Sequence, residues 1–221
     1  MIFTARAILF DMDGVLIDSA PAVERVWRRW ALDHRFDPDV VIEQAHGRRS
    51  LETIRAVAPH MDADRENLRV EQMEIDDKEG VTALPGAAEL LRSLPAEKFA
   101  IVTSATRPLA TARLGYAGLP VPKHLITADD VKDGKPLPEP YLKGAALLHI
   151  SPANCLVFED TPAGIVSAHA AGMRVIALGN TYPAHELRGA DGLAASLAQT
   201  EVELEERTIV VSLTAMPMPK I

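Results

Sequence analysis

The sequence predicts an α/β protein with a Rossmann-like, mostly parallel sheet and a helical cap inserted early in the chain. Short apolar runs at 7–10, 99–103, 124–127, 155–158 and 174–178 alternate with stretches of helical period, the pattern of parallel strands covered on both faces. From Pro38 to about Thr82 the period stays helical with no convincing strand, so this stretch stands apart from the sheet. The chain has 221 residues, 48% hydrophobic and 24% charged, enough for one domain with a large insertion or for two.

The first run, Ala7-Ile8-Leu9-Phe10, delivers Asp11 and Asp13 to its carboxyl end, and Gly14 allows a turn there. Asp18 or Ser19 is placed to cap a helix with Pro21 in its first turn. Ala22, Val23, Val26, Trp27, Trp30 and Ala31 give that helix an apolar face, which makes the tryptophans core residues. Further helices are expected around Val40 to Ala45, Leu51 to Ala58 and Leu68 to Ile75. After Leu84-Pro85-Gly86 come a helix with Ala87, Leu90, Leu91 and Leu94, then helices over about 109–116, 141–148 and 163–171 between the remaining strands. A last strand is expected at 208–213, followed by a frayed Pro-Met tail. The expected division is a core of residues 1–18 and 84–221 with a cap of 19–83.

Composition narrows the partners. A formal net charge of −8 and a pI near 5.4 argue against nucleic acid and anionic membranes, which reward clustered Lys and Arg. The single Cys155 lies in an apolar run and reads as core. No signal peptide and no apolar run of about 20 residues is seen. A cytoplasmic monomer acting on a small molecule is the expectation.

Polar groups follow four strands in order: Asp11 and Asp13, Thr103-Ser104, Gly134-Lys135-Pro136, and Glu159-Asp160. Parallel strands would bring them to one sheet edge, where ligands of open α/β folds sit. A strand running into an Asp-Gly turn is the plainer reading of Asp11 to Gly14 alone. Taken together, however, the acids need a cation, and an all-oxygen set favours Mg²⁺. Ser104, the backbone N–H of Ala105 and Lys135 could bind phosphoryl oxygens. Phosphoryl transfer fits: Asp11 as nucleophile forms an aspartyl-phosphate, and Asp13 gives and takes the proton. Lys135 is followed by Pro136 and lacks the glycine of a Walker loop; EF-hand and zinc spacings are missing.

These four motifs, Asp11-Met-Asp13-Gly-Val, Val102-Thr-Ser104-Ala-Thr, Gly134-Lys135-Pro-Leu-Pro-Glu-Pro and Phe158-Glu159-Asp160-Thr-Pro-Ala-Gly-Ile, resemble those of the haloacid dehalogenase superfamily over about 8–178. Within it the chain is similar to the β-phosphoglucomutase-like phosphatases. The resemblance implies Asp11, the Asp13 carbonyl and Asp160 as Mg²⁺ ligands, with Glu159 acting through water, and Ser104 and Lys135 as phosphate binders. His46-Gly47-Arg48-Arg49 resembles the cap specificity loop of glycerol-phosphate and 2-deoxyglucose-6-phosphate phosphatases, which makes His46, Arg48 and Arg49 candidate substrate contacts. A hexose-phosphate mutase is the rival enzyme, but the mutase branch has a cap histidine where this chain has Val23. A non-catalytic binding member of the fold is the other alternative; the presence of Asp11, Asp13, Lys135 and Asp160 speaks against it.

Overall fold

The computed structural model describes residues 1–45, 48–206 and 208–213. Its centre is a six-stranded sheet of β2 (Ala7–Phe10), β5 (Phe99–Val102), β6 (Leu125–Ile126), β7 (Cys155–Glu159), β8 (Arg174–Leu178) and β9 (Gly192–Ala194), ordered β6-β5-β2-β7-β8-β9. Every pairing in it is parallel. The chain enters at β2, builds outward through β5 and β6, then returns to β7 on the other side of β2. That reversal opens a crevice beyond the carboxyl ends of β2 and β7, which pair Phe10 with Phe158.

Alternation along the strands divides the core between the two faces. Ile8, Phe10, Ile101, Phe158 and Ile176 pack on one face, with α5 (Ala87–Ser93) and α6 (Arg107–Tyr116). Leu9, Val102, Val157 and Val175 pack on the other, with α7 (Glu139–Leu147) and α8 (Pro162–Ala170). Phe10 and Phe158 stack at 5.4 Å between centroids directly beneath the site.

Residues of the expected cap form α1 (Ala20–Asp33), α2 (Pro38–Ala45), α3 (Ser50–Val57) and α4 (Ala63–Asp76). They enclose a separate apolar cluster with Trp27, Trp30, Val41, Ile54 and Val70. Fully buried Trp30 donates its Nε1 hydrogen bond to Glu66 at 2.9 Å, and His34 meets the same carboxylate at 3.0 Å. The unit joins the core through a short antiparallel ribbon, β3 (Ile17–Asp18) against β4 (Thr82–Ala83).

Several features depart from the sequence expectations, among them β9 and the β3–β4 ribbon, where no strand was expected. Ser19 sits at the N-cap of α1 but makes no side-chain cap; its hydroxyl turns to Asp13, while Asp18 Oδ1 accepts from the Ala20 N–H. The strand expected at 208–213 is present as β11 (Thr208–Leu213), but it lies outside the parallel sheet. It pairs antiparallel with β1 (Ile2–Ala5) and β10 (Thr200–Glu205), neither of which was foreseen. β10 reads as polar because its glutamates face solvent while Val202 and Leu204 alternate with them. The expected Pro-Met tail lies outside the described residues.

Candidate active site

The chain leaves β2 through Asp11 and turns at Gly14, whose φ is +79°. A Cβ there would lie 1.9 Å from Asp160 Oδ2, so only glycine lets this turn press against the loop after β7. Asp11 Oδ1 accepts from Lys135 Nζ at 2.5 Å, and the same ammonium donates to Glu159 Oε1 at 2.5 Å. Glu159 also accepts from Tyr141 Oη at 2.9 Å, from the Asp160 and Thr161 N–H groups at 2.8 and 2.9 Å, and from Thr161 Oγ1 at 3.0 Å. Both of its oxygens are therefore engaged. α8 comes close enough for this because residue 164 is glycine.

Charge in this buried group is unbalanced. Burial pushes the Asp11 carboxyl up to about 7 against the pull of Lys135, with Glu159 and Asp13 adding to the rise. Burial, then Glu159 and Asp11, raise Asp160 well above the usual carboxylate range. Burial works against ionised Glu159 too, but Lys135 and its hydrogen-bond donors outweigh it and hold it below its ordinary value. Lys135 is likewise desolvated, yet Asp11 and Glu159 keep it charged.

Three carboxylates thus share one ammonium. Asp11, Glu159 and Asp160 each offer an oxygen within 4.8 Å of the others. Asp160 Oδ2 accepts from Thr181 Oγ1, whereas Asp160 Oδ1 is buried without a partner among the described residues. An orphaned carboxylate oxygen among carboxyls short of positive charge fits a hard divalent cation such as Mg²⁺.

Asp13 stands outside that cluster. Its Oδ1 accepts from Ser19 Oγ at 2.6 Å, and its Oδ2 lies 3.0 Å from Arg113 Nη1. Ser104 lines the same cavity. Ala105, expected to offer its N–H to phosphate, donates it to Thr103 Oγ1 at 3.1 Å, because the buried Thr103 side chain closes the turn after β5.

A cavity of about 510 Å³ lies above these groups. Asp11, Asp13, Ser104, Lys135 and Asp160 form its core side, and Val23, Trp27, Arg48, Ser50, Glu71 and Glu74 its cap side. Glu71 also bonds the core, accepting from Thr106 Oγ1 at 2.5 Å. His46 lies outside the described residues. Arg48 lines the cavity, but Arg49 does not: it donates to the Ala128 and Lys132 carbonyls at 2.8 and 3.2 Å and so ties α3 to the core. Sequence reasoning missed Tyr141, Arg113, Thr181 and Asn180, which lines the cavity and donates to the Gly14 carbonyl at 2.8 Å. The last two follow β8 as the other polar groups follow their strands, a signal that was there to read. Arg113 and Tyr141 sit within helices, where spacing gave none.

Together the switch-point crevice, its carboxylate–lysine cluster and the helical roof define an α/β protein with a roofed, acidic site whose carboxylates are grouped closely enough to hold a metal ion. The chain belongs to the haloacid dehalogenase-like hydrolases, whose family model matches residues 5–172. It is 44% identical over 202 residues to hexitol phosphatase A of Escherichia coli, covering 89% of this chain and 94% of that one. It is 41% identical over 190 residues to glycerol-1-phosphate phosphohydrolase 2 of Saccharomyces cerevisiae, covering 80% and 76%. Among solved structures, a hydrolase from Pseudomonas syringae superposes with a TM-score of 0.78 at 26% identity, over 87% of this chain and 94% of that one.

Proposed function

We propose that the protein is a Mg²⁺-dependent phosphomonoesterase acting on a small sugar or polyol phosphate. The observation that carries this reading is Asp11 beside Lys135 and the orphaned Asp160 oxygen at the base of a roofed cavity. The hexitol and glycerol-phosphate phosphatases among its relatives supply the substrate class.

Asp11 attacks phosphorus and forms the aspartyl-phosphate as the ester P–O bond breaks. Asp13 gives its proton to the departing alkoxide, then takes one from the water that hydrolyses the intermediate. Lys135 and Ser104 hold phosphoryl oxygens, while the Ala105 N–H is engaged by Thr103 Oγ1. Glu159 keeps Lys135 and the 160–161 loop in place. Asp11, Asp160 and the Asp13 carbonyl, with Glu159 behind them, would hold Mg²⁺, which would supply charge neutralisation to the phosphoryl group.

Residues 19–83 act as a cap over the core of 1–18 and 84–221, and Arg48 contributes to substrate choice. Val23 presents an apolar side chain to the cavity where the mutase branch has its histidine, which favours hydrolysis. All assigned groups come from one chain, so a monomer suffices. Among the described residues no helix is long and apolar enough to cross a membrane.

The test is phosphate release, with and without Mg²⁺, from glycerol 1-phosphate, hexitol 6-phosphates, hexose 6-phosphates and 2-deoxyglucose 6-phosphate. Metal-dependent release that Asp11→Asn abolishes is expected. Absence of release from every ester, or conversion of a hexose 1-phosphate to its 6-phosphate instead, refutes the reading.

A further inference from the structure

Asp13 belongs to a second buried ion group. Arg113, on core helix α6 and only 5% exposed, lies between two carboxylates: Nη1 is 3.0 Å from Asp13 Oδ2, and Nη2 is 3.5 Å from Glu74 Oε2. Glu74 comes from α4 in the cap and is itself buried. The planar guanidinium fork suits this bridging place, since it addresses two carboxylates in fixed directions. The other Asp13 oxygen, Oδ1, faces the Ser19 hydroxyl at 2.6 Å. These two neighbours differ in kind. A guanidinium only donates, so an oxygen facing it has no use for a proton of its own. A hydroxyl donates to a carboxylate and accepts from a carboxylic acid.

We propose that Arg113 is a positioning residue for the Asp13 carboxyl: by holding Oδ2 it fixes how that group is set in the cavity wall, while Glu74 keeps Arg113 in place from the cap side. The inference rests on the reaction proposed for Asp11 and Asp13. In that step the Asp13 carboxyl O–H bond breaks and its proton goes to the ester oxygen as the P–O bond breaks and the Asp11–phosphorus bond forms. Arg113 exchanges no proton.

A purely structural triad, stapling α4 to α6, predicts something different. The test compares kcat/KM for sorbitol 6-phosphate, whose alkoxide needs a proton, with that for p-nitrophenyl phosphate, whose leaving group departs without one. It uses the full chain with Mg²⁺, as Arg113→Gln/Glu74→Gln, which leaves no lone buried charge, and as Arg113→Lys, which keeps the charge without the fork. Misplacing a catalytic group by about 1 Å costs about 10²-fold. The sorbitol-to-nitrophenyl ratio is therefore expected to fall about 10²-fold in the double variant and less in Arg113→Lys. If the double variant does not fold, Arg113→Lys carries the comparison. An unchanged ratio in a folded variant, with both esters losing the same factor, overturns the inference. Failure of the unsubstituted protein to cleave either ester overturns the proposed function itself, and is seen before any variant is made.

Discussion

Replacing Gly164 by Ala places a methyl carbon 1.7 Å from Glu159 Oε1 and 2.4 Å from Oε2. The neighbouring atoms are a carboxylate held by five donors, not the loose end of a flexible chain. To reach ordinary contact the two must separate by more than 1 Å, roughly the margin that turns a good hydrogen bond into none. Loss of two bonds to a charged acceptor costs about 3–6 kcal/mol. Alanine in place of glycine in a helix gives back at most about 1 kcal/mol. The net loss is about 3 kcal/mol, and for a chain of this size Tm falls by roughly 6–12 °C. Thermal unfolding followed by circular dichroism measures it, with phosphate release as the second readout, because Lys135 is carried by the same carboxylate. An unchanged Tm with full activity would show that Glu159 is not the bracket described here.

Stability without metal should depend on pH through Asp11. Burial lifts its folded pKa to about 7 from the ordinary 3.8, so the folded state holds the proton more tightly than the unfolded chain. The favourable contribution is complete below about pH 4 and is lost as pH rises through 7. Metal-free Asp11→Asn is therefore expected to melt higher than the unsubstituted protein at pH 8, by a few kcal/mol at most, and to lose that advantage near pH 4. Added Mg²⁺ should remove the difference by stabilising only the unsubstituted protein; identical melting curves at both pH values would refute the assignment. In the cap, Trp30→Phe leaves the Glu66 carboxylate without its indole donor, and a loss of about 1–3 kcal/mol is expected. Denaturant unfolding tests it, and a loss below that range would mean that His34 and Arg69 together satisfy Glu66.

Much of the core was legible because its signals are local. β2, β5, β7 and β8 each contain four consecutive apolar residues. What escaped were elements with no long apolar run of their own or with a partner distant in sequence. β1 is stabilised by β11, more than 200 residues away, and the acidic β10 has no apolar run to announce it. The candidate cap contacts divided for the same reason: Arg48 and Arg49 are neighbours, yet consecutive residues leave a backbone in different directions, and only one of them reaches the cavity.

By itself the sequence determined the α/β class, the interruption after β2 and the strand-end acids, hydroxyls and lysine, because strand direction alone forces such groups to one edge. Tertiary structure decided how those groups are used. It alone engaged both oxygens of Glu159, left one oxygen of Asp160 without a partner and set Arg113 between Asp13 and Glu74. Hydrogen bonds and ion pairs depend on distances of about 3 Å between atoms brought together only by packing, and spacing along a chain does not encode them.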